Sequence, residues 1–154
     1  MSAKSNTFEN EFLAHIFQNA AITLLGDAAG VLGSSTAGSL FISLHTADPG
    51  EAGNQATSEA AYTGYARVGV ARNNTAWTVT NGVATNAADV VFGACTAGTS
   101  AVTHVGIGCS STGNGKLLYK GQITPSGGTA GQPLNVSVGI TPRIPAGQIS
   151  TSED

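Results

Sequence analysis

The stretch from Leu40 to Val70 reads LFISLHTADPGEAGNQATSEAAYTGYARVGV. Leu40, Ile42 and Leu44 alternate with Phe41, Ser43 and His45, a period of two that predicts a half-buried β-strand. Asp48-Pro49-Gly50 is a strong turn signal and stops it. A second strand is expected from Tyr65 to Ala71. The long polar segment between the two has no periodicity of its own, and loops of that length are usually functional or bound to something. It contains Glu51, Glu59 and many small residues, and predicts a surface for contact with another protein.

Upstream, the period changes to that of a helix. Asn6 and Glu9 have the spacing of a capping box, and Glu9 and Glu11 put negative charge where the helix dipole favours it. Phe8, Phe12, Leu13, Ile16, Phe17, Ala20 and Leu24 then recur at helical spacing, so an amphipathic helix is expected to run to a stop at Gly26. Its apolar face requires a surface to lie on, either the chain's own sheet or a neighbouring subunit. The Gly-, Ala- and Ser-rich stretch from Gly26 to Ser39 predicts a flexible connection.

Downstream, Trp77, Val79 and Val83 flank Asn81-Gly82, the strongest short-range hairpin signal. Val90 to Phe92 form a short strand. Val105, Ile107 and Cys109 alternate with His104, Gly106 and Gly108, and a turn at 111–115 leads into Lys116 to Thr124, giving a second hairpin. Leu134, Val136, Val138 and Ile140 alternate after a Gly/Pro-rich loop at 125–133, and Gln148 to Thr151 close the series. Glycines at 69, 106, 108, 121 and 139 imply bulges or close backbone approach. The fold class is therefore mainly β: an antiparallel β-sandwich or jelly-roll-like domain of about eight short strands behind one N-terminal amphipathic helix. The expected organisation is an arm and helix over residues 1–30 and a sandwich over 38–154, making one compact unit of 154 residues.

Charged residues are 10% of the chain, against about 25% in ordinary soluble domains. Interface cores are depleted of charge, so a surface this poor in it predicts coverage in an assembly. The six basic residues are scattered and the formal net charge is −3, which leaves no stripe to neutralise nucleic-acid phosphates. No apolar run approaches the roughly 20 residues of a membrane helix, and the N-terminus has no hydrophobic signal core. Synthesis in a cytosol follows as an expectation, with Cys95 and Cys109 reduced and buried.

Chemistry is hard to assemble from what remains. His45, Asp48, Glu51 and His104 make a weak metal set, and the simpler reading has His45 hydrogen-bonded to loop backbone and Asp48 capping a turn. Cys95 and Cys109 with His104 lack a group to orient the imidazole for nucleophilic catalysis. No Gly-x-Ser-x-Gly elbow occurs. A carboxylate pair would have to be drawn from Asp27, Asp48, Glu51, Glu59 and Asp89. No catalytic, cofactor-binding or metal residues are assigned, and no enzymatic activity is expected. The contact candidates are Phe8, Phe12 and Phe17 on the helix, Asp48 and Glu51 on the loop, and Tyr62, Tyr65 and Arg67 at its end, since Tyr and Arg often anchor interfaces.

The run SLHTADPGEAGNQATSEAAYTGYARV, with Trp77-Thr78-Val79, Thr103 to Gly108, Gly115 to Tyr119 and Gly139 to Pro142, resembles a family of small tailed-phage and prophage virion proteins, often labelled tail fibre proteins. The match spans nearly the whole chain and is densest from Leu44 to Val68. Its architecture is also similar in design to capsid cement or decoration proteins. The resemblance implies a structural virion protein, read first as a decoration protein on the outer surface of the capsid. Its partners would be the major capsid protein and copies of itself in a symmetric homo-oligomer. The alternative is a tail-fibre or baseplate protein touching a host surface glycan, for which Trp77 with Asn73, Asn74 and Asn81 is the candidate cluster.

Overall fold

The computed structural model describes residues 4–125 and 128–152. Residues 126 and 127 of the Gly/Pro-rich loop and the terminal acids Glu153 and Asp154 lie outside that range. Among the described residues, one helix, α1 (Asn6–Gln18), is followed by eleven strands. They are β1 (Ser39–His45), β2 (Val68–Ala71), β3 (Trp77–Thr80), β4 (Val83–Asn86), β5 (Val90–Val91), β6 (Ser100–Val102), β7 (His104–Gly108), β8 (Leu117–Gln122), β9 (Leu134–Val136), β10 (Arg143–Ile144) and β11 (Ser150–Ser152). The protein is mainly β, as the alternating runs predict. β6 and β10 were not foreseen, because two or three residues are too few for a period to register.

The strands form a four-stranded sheet in the order β2-β1-β7-β8, a three-stranded sheet β11-β4-β3, and the pairs β10-β5 and β6-β9. β1 with β7, β7 with β8, β3 with β4, β4 with β11 and β6 with β9 are antiparallel. By contacts the chain divides into two units: Met1–Ser39, Ala71–Asp89 and Ile144–Asp154 in the first, Leu40–Val70 and Val90–Arg143 in the second.

In the first unit, α1 lies on β3 and β4. Leu13 and Phe17 are its buried residues, and Phe17 meets the fully buried Trp77 with ring centroids 4.6 Å apart. The indole Nε1–H has no hydrogen-bond partner among the described residues, which costs about 1–3 kcal/mol. Burying roughly 150–250 Å² of aromatic surface contributes about 4–6 kcal/mol and outweighs it. Asn81 (φ 50°) and Gly82 (φ 70°) supply the two positive φ angles of a type I′ hairpin turn, and Asn10 on α1 accepts the Gly82 N–H at 2.8 Å.

The helix differs from expectation at both ends. Ser5, not Asn6, is the N-cap, its hydroxyl accepting the Phe8 N–H. The apolar period points onward to Leu24, yet the helix stops at Gln18 and Asn19 turns left-handed (φ 59°). Arg72 explains the early stop. Its guanidinium donates to the carbonyls of His15 and Ile16, both at 2.6 Å, and to Ala37 at 3.2 Å, capping the negative end of the helix dipole with a half-buried cation.

In the second unit, the core gathers Leu40, Ile42, Leu44, Tyr62, Phe92, Val102, Ile107 and Val136. β1 is buried on both faces from Ile42 to His45, which corrects the half-buried prediction. The face carrying Ser43 and His45 is covered because the long loop folds back over it. Beyond β9 the alternation does not continue as strand, and Val138 and Ile140 are exposed.

Candidate functional site

The loop between β1 and β2 has almost no regular structure, but it is tied down along its length. Its start and end run beside each other: Thr46 N–H donates to Ser58 O and Ala60 N–H to Leu44 O, both at 2.8 Å. Gln55, fully buried, acts as a staple. Its Nε2 donates to Phe41 O (3.2 Å), its Oε1 accepts Ser110 N–H (2.9 Å), and its own N–H donates to Gly115 O (2.9 Å). The loop thereby joins β1 to the β7–β8 turn.

Glu59 and Arg67 form the second fastening. The guanidinium meets the carboxylate in two bonds, Nε to Oε1 and Nη2 to Oε2, each 2.7 Å, the fork geometry that makes Arg–carboxylate pairs strong. Arg67 also donates to Ser110 O (3.0 Å) and Gly113 O (2.7 Å), and Tyr65 OH donates to Glu59 Oε1 at 2.8 Å while accepting Leu44 N–H at 3.0 Å. The carboxylate's hydrogen bonds hold the Arg67 pKa above its ordinary value. Burial, chiefly, pushes the Tyr65 and Tyr62 phenols up.

A third fastening is built on His45. Its Nδ1–H donates to Thr57 O at 2.8 Å, so Nε2 accepts the Ser43 hydroxyl, also at 2.8 Å. Burial is the main cause that lowers its pKa, with Arg67 and His104 acting in the same direction against Thr57 and Glu59. Ser43 and His45 have the contact of a nucleophile and base, yet both are fully buried and a backbone carbonyl orients the ring. With both ring nitrogens engaged, His45 has no lone pair for a metal. Gly106 fits against this pair because a Cβ there would sit 2.7 Å from His45 Nε2 and Ser43 Oγ.

The contact candidates separate by depth. Phe17, Tyr62 and Arg67 are buried and serve the chain's own interior, with Tyr62 OH donating to Gly93 O at 3.0 Å. Arg67 is thus neither a surface anchor nor solvated. Phe8, Phe12 and Tyr65 are half-buried, Tyr65 stacking on Phe92. Asp48 and Glu51 are exposed and pair with Lys120 at 2.9 and 3.2 Å. Asp48 also caps its turn by accepting Gly50 N–H, and that bond first, then Lys120, holds its carboxyl below the usual range.

The remaining chemistry candidates disperse. Both cysteines are free; Cys95 is buried as predicted, but Cys109 is exposed. Among the described residues, no group of three or more His, Cys, Asp and Glu is placed to hold a metal, and no helix is long and apolar enough to cross a membrane. The buried indole of Trp77 offers no stacking surface for a glycan. The Gln55 and Glu59–Arg67 fastenings were missed from sequence; the one available signal was a Gln, an acid and an Arg in a segment otherwise made of small residues.

A helix on a small antiparallel sheet in one unit, and in the other a long loop fastened by the buried side chains of Gln55 and Arg67, define a mainly β structural protein. The chain belongs to the family described as Podophage GP4 fiber I protein gp80, whose model matches residues 3–151. It is accordingly a structural protein of a phage virion, in a fibre family, as the resemblance implied. No curated protein matches the chain.

Proposed function

We propose that the chain is a non-enzymatic component of the virion's fibre apparatus, held in place by contacts with other virion proteins and with copies of itself. The observation that carries this reading is the use of Glu59, Arg67, His45, Ser43 and Gln55 to fasten the chain's own loop, which makes these groups scaffold and not reagents. The fibre label of the matched family favours this placement over a capsid-cement role, whose basis is architecture, and architecture does not fix function. The exposed loop edge at Asp48 and Glu51 is then the accessible part of the loop for contact.

Fractionated virions provide the test. Quantitative mass spectrometry should find the chain with fibre-bearing tails, in copy numbers far below that of the major capsid protein. Recovery on tail-free heads in hundreds of copies would overturn the fibre placement and restore the decoration reading.

A further inference from the structure

Asn81-Gly82 and Asn114-Gly115 are the two Asn-Gly pairs of the chain. A glycine leaves the main-chain nitrogen after an asparagine unshielded, so that nitrogen can attack the asparagine side chain. The N–H proton passes to hydroxide or a buffer base, the nitrogen bonds to Cγ, and the side-chain nitrogen takes a proton from solvent and leaves as ammonia. Water then opens the cyclic imide at either carbonyl, giving aspartate or isoaspartate. The attack requires the peptide plane between the two residues to turn until the glycine nitrogen faces Cγ.

The fold holds the two planes differently. Asn81 and Gly82 form the turn between β3 and β4, whose Thr80 and Val83 are directly paired. The Gly82 N–H donates to the Asn10 side chain on α1 at 2.8 Å, so turning this plane breaks a bond to another element. Gly82 is buried, and a Cβ built on it would lie 2.9 Å from Glu9 Oε2. A carboxylate thus stands beside the glycine whose nitrogen must lose its proton, and like charge opposes that loss.

Asn114 is exposed, in the turn between β7 and β8. Its Gly115 N–H donates to Gly113 O at 2.9 Å, closing a three-residue turn centred on Asn114 itself, a bond that opens with the same rotation the attack requires. The fold grips the planes on either side: Gly113 O accepts Arg67 Nη2 at 2.7 Å, and Gly115 O accepts Gln55 N–H at 2.9 Å. The plane carrying Gly115 N–H turns between those two fixed points. Glycine is also imposed at 115, because a Cβ there would sit 2.2 Å from Gln55 Oε1 and 2.6 Å from Ser110 Cβ. The Gln55 staple therefore brings the reactive pair with it.

We propose that Asn114 is a site of spontaneous deamidation, that α1 shields Asn81 from the same reaction, and that isoaspartate at 114 loosens the loop between β1 and β2. Isoaspartate adds a methylene to the main chain between Gly113 and Gly115, whose carbonyls fasten Arg67 and Gln55. The lengthened turn cannot keep both. Conversion to ordinary aspartate leaves the main chain as it was and changes only the charge.

The test ages the purified full chain in mildly alkaline buffer and maps both sites by peptide mass spectrometry, with electron-transfer fragmentation to separate isoaspartate from aspartate. In the native chain, conversion at 114 should be about tenfold or more faster than at 81, the rate equivalent of one retained hydrogen bond. In guanidinium chloride the two sites should convert at similar rates; a difference there as large as the native one would overturn the role of the fold. Asn10→Ala should speed conversion at 81 alone, and Asn10→Asp, which keeps the acceptor, should not. Acceleration at neither site or at both alike would overturn the shielding. As isoaspartate accumulates, the wild type should lose stability at its urea midpoint, while Asn114→Gln aged in the same way and fresh Asn114→Asp should hold theirs. Equal native rates at the two sites, or faster conversion at 81, would overturn the assignment. An isoaspartate-bearing chain with an unchanged midpoint would overturn the loosening.

Discussion

The loop at 46–67 and the segment at 19–34 exchange the roles that their compositions suggest. The first is polar, punctuated by a Pro-Gly turn and supplied with Tyr and Arg, and it looks like a surface meant to grip. In the fold its Gln55, Tyr62 and Arg67 are buried. The second was expected to be helix as far as Leu24 and flexible connection from Gly26 onward, yet hydrogen bonds close it and its leucines are exposed. A polar side chain becomes interior when the fold brings it a complete set of partners, and an apolar one stays outside when a tight loop leaves it no interior to reach.

The comparison breaks first at Glu59. Glu59→Ala leaves a guanidinium whose side chain is only 2% exposed without its counter-ion, and should destabilise the fold by about 3–5 kcal/mol, read from the urea midpoint. Adding Arg67→Met should restore part of that loss, with a coupling of about 0.5–3 kcal/mol in the double-mutant cycle. Simple additivity would mean the pair is not the fastening described. Gly106→Ala comes next, because the added methyl meets His45, Ser43 and Leu117 at 2.7 Å; overpacking of this kind costs about 1–3 kcal/mol. An unchanged midpoint would show that the pair beneath the loop gives way freely.

A smaller effect should appear with pH. Burial favours the neutral imidazole of His45 in the fold. Above its ordinary pKa of about 6.5, the folded and unfolded chains both carry it neutral, and its contribution is complete. Below that value the unfolded chain takes up a proton that the folded chain resists, so stability falls with pH until His45 titrates in the fold as well. Urea midpoints measured from pH 7.5 to pH 5 should decline, and His45→Gln should flatten the decline. A slope that survives the substitution would place its origin elsewhere.

The smallest effect belongs to the other region. Leu24→Gly relieves a left-handed leucine and adds freedom to the unfolded chain, two opposed terms that should leave stability within about 1 kcal/mol of the wild type. A large loss of stability would mean that the displayed leucines support their own fold, and the contrast between the regions would disappear.

Much of the architecture was readable because its causes are local. Asn81-Gly82 makes its turn from its own backbone preferences, Asp48 caps Gly50 two residues away, and the strand period at 40–45 and 104–108 needs only the side chains themselves. The extent of α1 was not readable, since its stop depends on an arginine 54 positions after Gln18 in sequence (72 against 18). Nor was the burial of Ser43 and His45, whose outward face is covered only once Thr57 and Gln55 have folded back onto it.

Leu40 to Val70 accordingly contains two kinds of information. Alternation and turn chemistry, which act over a few residues, were enough to establish strand, loop and strand, and with them the mainly β class. Which side chains of that loop face inward was decided by Ser110, Gly113 and Gly115, far along the chain. Hydrogen-bond partners at that sequence distance exist only after the fold has brought them together, and they make Gln55 and Arg67 interior while Asp48 and Glu51 stay exposed.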